Sequence, residues 1–257
     1  MPSGSERFLD TRSLATDHRR LATVLSTGQS VLDVGCGSGA ITRGIAEAVG
    51  PSGTVVGIDI NSSLLAQAVA NHSGMPNLSF RVADAARLGY REEFDVVTTA
   101  RVLQWLADPL GALTSMVGAL KPGGQIVVLD YSHTKARWEP APPPPFRLFY
   151  DAFLAWRENV SMDNDIADHL AGMLASLGLV DVRATEELEL TTRGDADFAT
   201  RMALWPAVIA TRGHQIVADG MIEETDRAAA EAAFSEWLRG AARSQCLYLV
   251  AVSATKP

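Results

Sequence analysis

Cysteine is scarce in this chain. Among 257 residues only Cys36 and Cys246 occur, and neither has a C-x-x-C partner or the spacing of a metal-ligand set. A disulfide framework is therefore not implied, which suits a reducing compartment. Long apolar runs are missing as well: no stretch approaches the roughly 20 residues that span a bilayer. The N-terminal stretch MPSGSERFLD lacks the basic and then apolar pattern of a secretory leader. Basic runs are equally absent. Arg19-Arg20 is the densest pair, and the net charge is −8. An acidic chain is repelled at long range by nucleic acid and by anionic membranes. The expectation from these absences is a cytoplasmic protein with no nucleic-acid or membrane partner; a homodimer is compatible with them.

What is there reads as an ordinary globular protein, 47% apolar and 20% charged. The length suits one sizeable core with an added lobe. Leu14 to Leu25 has apolar residues at helical spacing and predicts an entry helix, ended by Thr27-Gly28. Ser30 to Val34, Thr54 to Asp59, Leu78 to Val82, Phe94 to Thr99 and Gln125 to Asp130 read as strands, with helices between most of them. Asp108-Pro109 supplies an N-cap and a first-turn proline for the helix that ends before Lys121-Pro122-Gly123-Gly124. Alternation of this kind predicts a doubly wound parallel sheet. Beyond it the rhythm changes. Pro142 to Pro145 predicts a rigid extended segment. Phe146 to Arg157, Asp165 to Leu177, Asp195 to Ala210 and Thr225 to Arg239 predict helices. Leu179 to Leu190 and Cys246 to Val252 predict strands.

The chemistry concentrates after the first strand, in Asp33-Val34-Gly35-Cys36-Gly37-Ser38-Gly39. A strand, a glycine loop and a helix point backbone N–H groups and a helix N-terminus at a ligand, and glycine permits both close approach and positive φ. Asp59 ends the second strand about 20 residues beyond Gly39, the place of an acid that binds ribose hydroxyls. Gly35 to Ala40 also satisfies G-x-G-x-x-A, so a dinucleotide-dependent oxidoreductase stays open on the loop alone. Three features favour S-adenosylmethionine: the acid immediately before the glycines, a helix ahead of the first strand, and Asp84, an acid placed to reach the adenine amino group.

With these motifs the chain resembles the class I S-adenosylmethionine-dependent methyltransferases, well over residues 14 to 135 and more loosely over 165 to 252. The resemblance implies a Rossmann-like α/β fold: a doubly wound seven-stranded sheet, its last strand antiparallel, with a helical cap inserted before that strand. It implies a cofactor-binding core over 1–140, a linker with helices and the sixth strand over 141–190, the cap over 191–244, and the last strand over 245–257. The helices of the cap are expected over the carboxyl edge of the sheet. The family's glycine loop matches Asp33, Gly35, Cys36, Gly37 and Gly39. Its ribose acid matches Asp59, followed by Ile60, and its adenine-side acid matches Asp84, followed by Ala85. Ala100-Arg101-Val102-Leu103-Gln104-Trp105 looks like the segment of small-molecule methyltransferases, such as the trans-aconitate type, whose backbone at Ala100 and Arg101 touches the methionine part of the cofactor. Leu120 to Gly124 is a typical turn of the family.

Two departures narrow the chemistry. The Asn/Asp-Pro-Pro-aromatic motif of enzymes that methylate amino groups of bases or glutamine is replaced by Thr98-Thr99-Ala100-Arg101. The carboxylate pair of metal-dependent catechol-type enzymes is reduced to Asp130, so no metal is expected. Cys36 reads as a small packed residue, since no base is spaced to activate it. His133, after the fifth strand, is the candidate general base, with a role-free loop histidine as the plainer alternative. Trp105 and Tyr131 are candidates for the acceptor pocket or for plain core packing. The implied function is methyl transfer to a small molecule, with oxygen slightly preferred as acceptor. A protein that holds the cofactor without transferring methyl stays open beside it.

Overall fold

Short β-branched runs separated by amphipathic helices can bury both faces of each strand only by winding the helices over a parallel sheet. That is the arrangement in the computed structural model, which describes residues 10–257. The strands are β1 (Ser30–Val34), β2 (Thr54–Asp59), β3 (Leu78–Val82), β4 (Phe94–Ala100), β5 (Leu120–Tyr131), β6 (Arg137–Glu139), β7 (Val180–Glu186), β8 (Glu189–Thr192), β9 (Ser244–Leu247) and β10 (Leu249–Thr255). The helices longer than one turn or so are α1 (Ala40–Val49), α2 (Ser62–His72), α3 (Pro109–Ala119), α4 (Pro144–Asn159), α5 (Ile166–Ser176), α6 (Leu204–Ala218) and α7 (Glu224–Arg239).

The chain divides into two units. One comprises residues 10–131, 165–187 and 249–257. It holds the expected seven-stranded sheet, in the order β3-β2-β1-β4-β5-β10-β7. β1 to β5 run parallel, and β10 lies antiparallel between β5 and β7. The order reverses between β1 and β4, and ligands of open α/β sheets bind in the crevice at that switch point, outside the carboxyl ends of the strands. Gly35 and Arg101 leave the sheet there. Leu14, Leu21, Val31, Ile45, Val49, Val55, Val96 and Val127 form a buried cluster on one face.

The second unit comprises residues 132–164 and 188–248. A three-stranded antiparallel sheet, β6-β9-β8, accompanies α4, α6 and α7. Its core is aromatic: Phe146 stacks on Phe234 at 4.1 Å between ring centroids, and Trp205 meets Phe146, Tyr150 and Phe153 edge-on. Arg157 is fully buried within it, donating to Asn164 Oδ1 at 2.7 Å and to the Asp163 carbonyl at 3.1 Å.

Several expected elements are cut by tertiary partners. The entry helix expected over Leu14 to Leu25 is two short pieces, Leu14–Asp17 and Arg19–Ala22, broken at His18. His18 is fully buried, its Nε2 3.0 Å from Thr98 Oγ1. The Thr98 hydroxyl spends its one proton on the Val127 carbonyl, so His18 must donate from Nε2. The Glu187 carboxylate accepts the backbone N–H groups of Arg19 and Arg20, capping the second piece. The strand expected over Leu179 to Leu190 is two strands in different sheets, β7 and β8, and Cys246 to Val252 is likewise divided between β9 and β10. The tetraproline is not extended throughout. Pro144 and Pro145 open α4, where the missing N–H groups would have had no helical partner.

Burial lowers the His18 pKa from its usual 6.5 to about 3, with the Arg101 charge adding to the effect. The unfolded chain then takes up a proton near pH 6.5 that the folded protein refuses until about pH 3. The stabilising contribution is complete above pH 6.5 and is lost as the pH falls. At about 1.4 kcal/mol per pH unit, acidification from pH 7 to 5 is expected to remove about 2 kcal/mol through this group. Urea denaturation at both pH values checks it, because His18→Gln should flatten the dependence by that amount; an unchanged slope would refute the assignment.

Candidate functional site

The loop after β1 is shaped by its glycines. Gly35, Gly37 and Gly39 have φ of +77°, +56° and +81°, in the left-handed region that favours glycine. The backbone N–H groups of Gly35 and Cys36 donate to the Ile58 carbonyl at 2.7 and 2.9 Å, tying the loop to the end of β2. There Asp59, half-buried, accepts the Gly37 N–H at 2.9 Å with Oδ2 and the Asn61 N–H at 2.8 Å with Oδ1. A carboxylate has about four acceptor positions. Two hold the loop, and the others remain available to a pair of hydroxyls. Ile60, 73% exposed, offers an apolar face next to them.

The loop leads into α1, whose N-cap Gly39 has no side chain to satisfy the first-turn N–H groups. Beneath the loop, Asp33 is buried and accepts from Thr42 Oγ1 at 2.7 Å. Burial raises its pKa to about 6; the Thr42 hydrogen bond opposes the rise and the Asp59 charge adds to it. The Cys36 thiol is pushed far up by burial and by the two carboxylates, so it stays protonated and is no nucleophile. A cavity of about 40 Å³ opens here, with Arg12, Asp33, Gly35, Cys36, Ser38 and Ala100 among its walls.

On the other side of the switch point Arg101 stands at φ +63°. Its N–H donates to the Leu129 carbonyl at 2.7 Å, and its buried guanidinium reaches Tyr131 Oη at 3.1 Å and the Asp17 carbonyl at 3.0 Å. The side chain is thereby committed to the entry segment. Gln104, which sequence reasoning did not single out, donates from Nε2 to the Arg101 carbonyl at 3.3 Å. The fully buried Asp130 accepts the N–H groups of Gln104 and Tyr131. Both of its carboxylate oxygens therefore hold backbone. Trp105 is half-buried on the turn of 3-10 helix Leu103–Trp105, and Tyr131 is buried at the end of β5. Asp84 is exposed after β3, its Oδ1 accepting the Ala86 N–H at 2.9 Å, with Ala85 half-buried beside it.

The structure thus gathers Asp33, Gly35, Cys36, Gly37, Gly39, Asp59 and Ala100 around one loop. It adds Arg12, which carries no local sequence signal, and Ser38 of the loop itself. His133 belongs to the other unit. It is half-buried, its N–H donating to the Asn164 carbonyl at 2.7 Å, its carbonyl accepting from Tyr150 Oη at 2.6 Å, and its ring edge-on to Phe153. Burial, and then the Arg157 charge, push its pKa well below the usual value.

A family described as a methyltransferase domain matches residues 25–169, more than half of the chain. The chain belongs to this methyltransferase-domain family. That decides between the two cofactor readings of the glycine loop in favour of a class I, S-adenosylmethionine-dependent member. Similar curated proteins include the demethylmenaquinone methyltransferase of Lactococcus lactis, 34% identical over 52% of this chain and 50% of its own length. The ubiquinone/menaquinone biosynthesis C-methyltransferase UbiE of Ectopseudomonas mendocina is 41% identical over 41% of this chain and 43% of its own. The chain spans about half or less of the length of these curated relatives. Among solved structures, a SAM-dependent methyltransferase from Aquifex aeolicus shares the fold with a TM-score of 0.53 at 15% identity, over 100% of this chain and 95% of that one. The preference for an oxygen acceptor gains no support from these relatives. No helix among the described residues is long and apolar enough to cross a membrane, and no group of three or more potential metal ligands occurs among them.

Proposed function

We propose that this protein transfers the methyl group of S-adenosylmethionine to a small molecule. The observation that carries the reading is the Asp59 carboxylate, held by the Gly37 N–H at the switch point of the sheet, with acceptor capacity left for ribose hydroxyls. Asp33, Gly35, Cys36, Gly39 and Ala100 form the bed for the rest of the cofactor. Asp84 with Ala85, and Ile60, are assigned to the adenine, and the Arg101 backbone to the methionine part. The cofactor supplies an activated methyl group. The chain's part is to hold it, to keep water away, and to align the acceptor for in-line attack. Trp105 and Tyr131 are assigned to the acceptor. The C-methyltransferase name of one relative makes a carbon the first acceptor atom to test and a hydroxyl oxygen the second.

The deciding experiment is incubation with methyl-labelled cofactor and a panel of small hydroxylated aromatic compounds. Label is expected in a small-molecule product, with EDTA without effect. Cofactor binding with no label transferred to any acceptor would favour a holding role instead.

For a hydroxyl acceptor, His133 is assigned as the base. Burial and then the Arg157 charge lower its pKa, which favours the neutral imidazole that a base needs and at the same time weakens its pull on a proton. His133→Ala is expected to lower kcat about 100-fold with cofactor affinity unchanged. The rate of the natural protein should not fall on going from pH 8 to 6.5. Equal turnover in the variant, or a titration near pH 6.5, would remove His133 from the reaction.

A further inference from the structure

The second unit holds a cavity of about 580 Å³. None of its lining residues is among those assigned to the cofactor or to the acceptor. Its size falls within the roughly 300–1,000 Å³ of small-molecule pockets. The wall is mainly apolar, built from Trp138 of β6 and from Phe146, Leu148, Tyr150 and Leu154 of α4. The polar tips of Trp138 and Tyr150 are engaged inside the unit. Trp138 Nε1 donates to Gln245 Oε1 at 2.9 Å, and Tyr150 Oη donates to the His133 carbonyl at 2.6 Å. Edge-on contacts of Trp138 with Phe146 and with Tyr150 brace the rings against one another, so the wall is formed before any ligand arrives. Leu148 is 51% exposed on it, a large apolar side chain left to solvent.

Two opposite charges line the same cavity. Arg147 and Asp151 stand about one turn apart on α4. Both are exposed, and neither makes a hydrogen bond or an ion pair among the described residues. The same order of arginine and acid closes elsewhere in the chain: Arg43 reaches Glu47 at 2.9 Å, and Arg227 reaches Glu231 at 2.7 Å. Residues four apart on a helix have Cβ atoms about 5–6 Å from each other. An ammonium and a carboxylate carried on one carbon fit between two such side chains, the carboxylate on the guanidinium and the ammonium on the acid. An anion alone would meet Asp151, and a cation alone would meet Arg147. The rings and Leu148 call for an apolar, flat body behind that head.

We propose that the second unit carries a binding site for an aromatic α-amino acid, its ring against Trp138, Phe146 and Leu148 and its charged head between Arg147 and Asp151. The site does not depend on the S-adenosylmethionine reading, and either can fail without the other.

The test is calorimetric titration of the full chain with three probes: L-tryptophan, tryptamine, which lacks the carboxylate, and indolepropionate, which lacks the ammonium. L-Tryptophan is expected to bind with a dissociation constant of about 0.1–1 mM, and each truncated probe about 3- to 10-fold more weakly. Arg147→Gln should weaken L-tryptophan about 3- to 10-fold and leave tryptamine within about twofold. Asp151→Asn should weaken L-tryptophan by a similar factor, about 3- to 10-fold, and leave indolepropionate within about twofold. Both positions are exposed, so an unchanged melting temperature is expected and reports that the variants are folded. Natural protein that binds none of the probes overturns the site. So do variants with unchanged affinity for L-tryptophan, and so does an Arg147→Gln loss that is equal for L-tryptophan and tryptamine. A dimer that Leu148→Asp dissociates would overturn it too, because a second copy would then cover the cavity. S-adenosylhomocysteine titrated in parallel reports on the cofactor site, and its failure to bind overturns that reading alone.

Discussion

Asp59→Ala is expected to weaken binding of S-adenosylhomocysteine at least 100-fold. The carboxylate sits at the end of β2, accepting from Gly37 N–H at 2.9 Å and Asn61 N–H at 2.8 Å. Hydrogen bonds to a charged group contribute roughly 1.5–3 kcal/mol each, and two ribose hydroxyls would engage the acceptor positions that remain. Removing the carboxylate takes those bonds away and also releases the Gly37 N–H, so the loop loses its anchor before the ligand arrives. Asp59→Asn separates the two effects. The amide keeps one acceptor oxygen for Gly37 and loses the charge, and an intermediate loss is expected. Calorimetric titration measures both variants. A dissociation constant unchanged in Asp59→Ala would remove this residue from the site.

Gly35→Ala is the second large effect, and it acts on folding as well as on binding. A Cβ at this position would stand 2.3 Å from Val102 Cγ2, and φ is +77°. The left-handed conformation costs an alanine about 1–2 kcal/mol, and crowding a packed position costs about 1–3 kcal/mol more. Val102 is β-branched and stiff at χ1, so it cannot easily turn aside. It also lies on the segment that carries Arg101 and Gln104, and pushing it disturbs both sides of the switch point. The expected total of about 2–5 kcal/mol corresponds to a fall in Tm of roughly 4–20 °C for a chain of this length. Gly74→Ala is the control, since its Cβ would meet nothing within 4 Å, and it should change stability by no more than about 0.5 kcal/mol. A Gly35→Ala melting curve that superimposes on that of the natural protein would show that the loop has room the geometry denies.

The cofactor half was legible because its determinants are local. Glycines at Gly35, Gly37 and Gly39 announce positive φ, and those three residues do take it. The apolar runs of β1, β2 and β4 announce strands buried on both faces, and an acid at the end of a parallel strand beside such a loop has few other places to point. The seven-stranded sheet with an antiparallel last strand followed from the resemblance carried by the same motifs. Asp130 was legible as an acid at a strand end, and its use was not. Only the fold brings the N–H groups of Gln104 and Tyr131 onto its two oxygens.

From the sequence by itself, then, came the class of fold and the glycine loop with Asp33 and Asp59, because each depends on backbone conformation and spacing within a few dozen residues; the cofactor came from the resemblance to the family. The tertiary structure alone decided where elements break and which distant side chains meet. The periodicity of Leu14 to Leu25 favours one helix, yet burial of His18 against Thr98 and capping by Glu187 make two. The stretch from Leu179 to Leu190 reads as one strand, because hydrophobic pattern records which face is buried and not which strand covers it. Arg12 carries no motif and lies 26 residues before Ser38 of the glycine loop. They share a wall only because the entry segment folds back against the loop after β1.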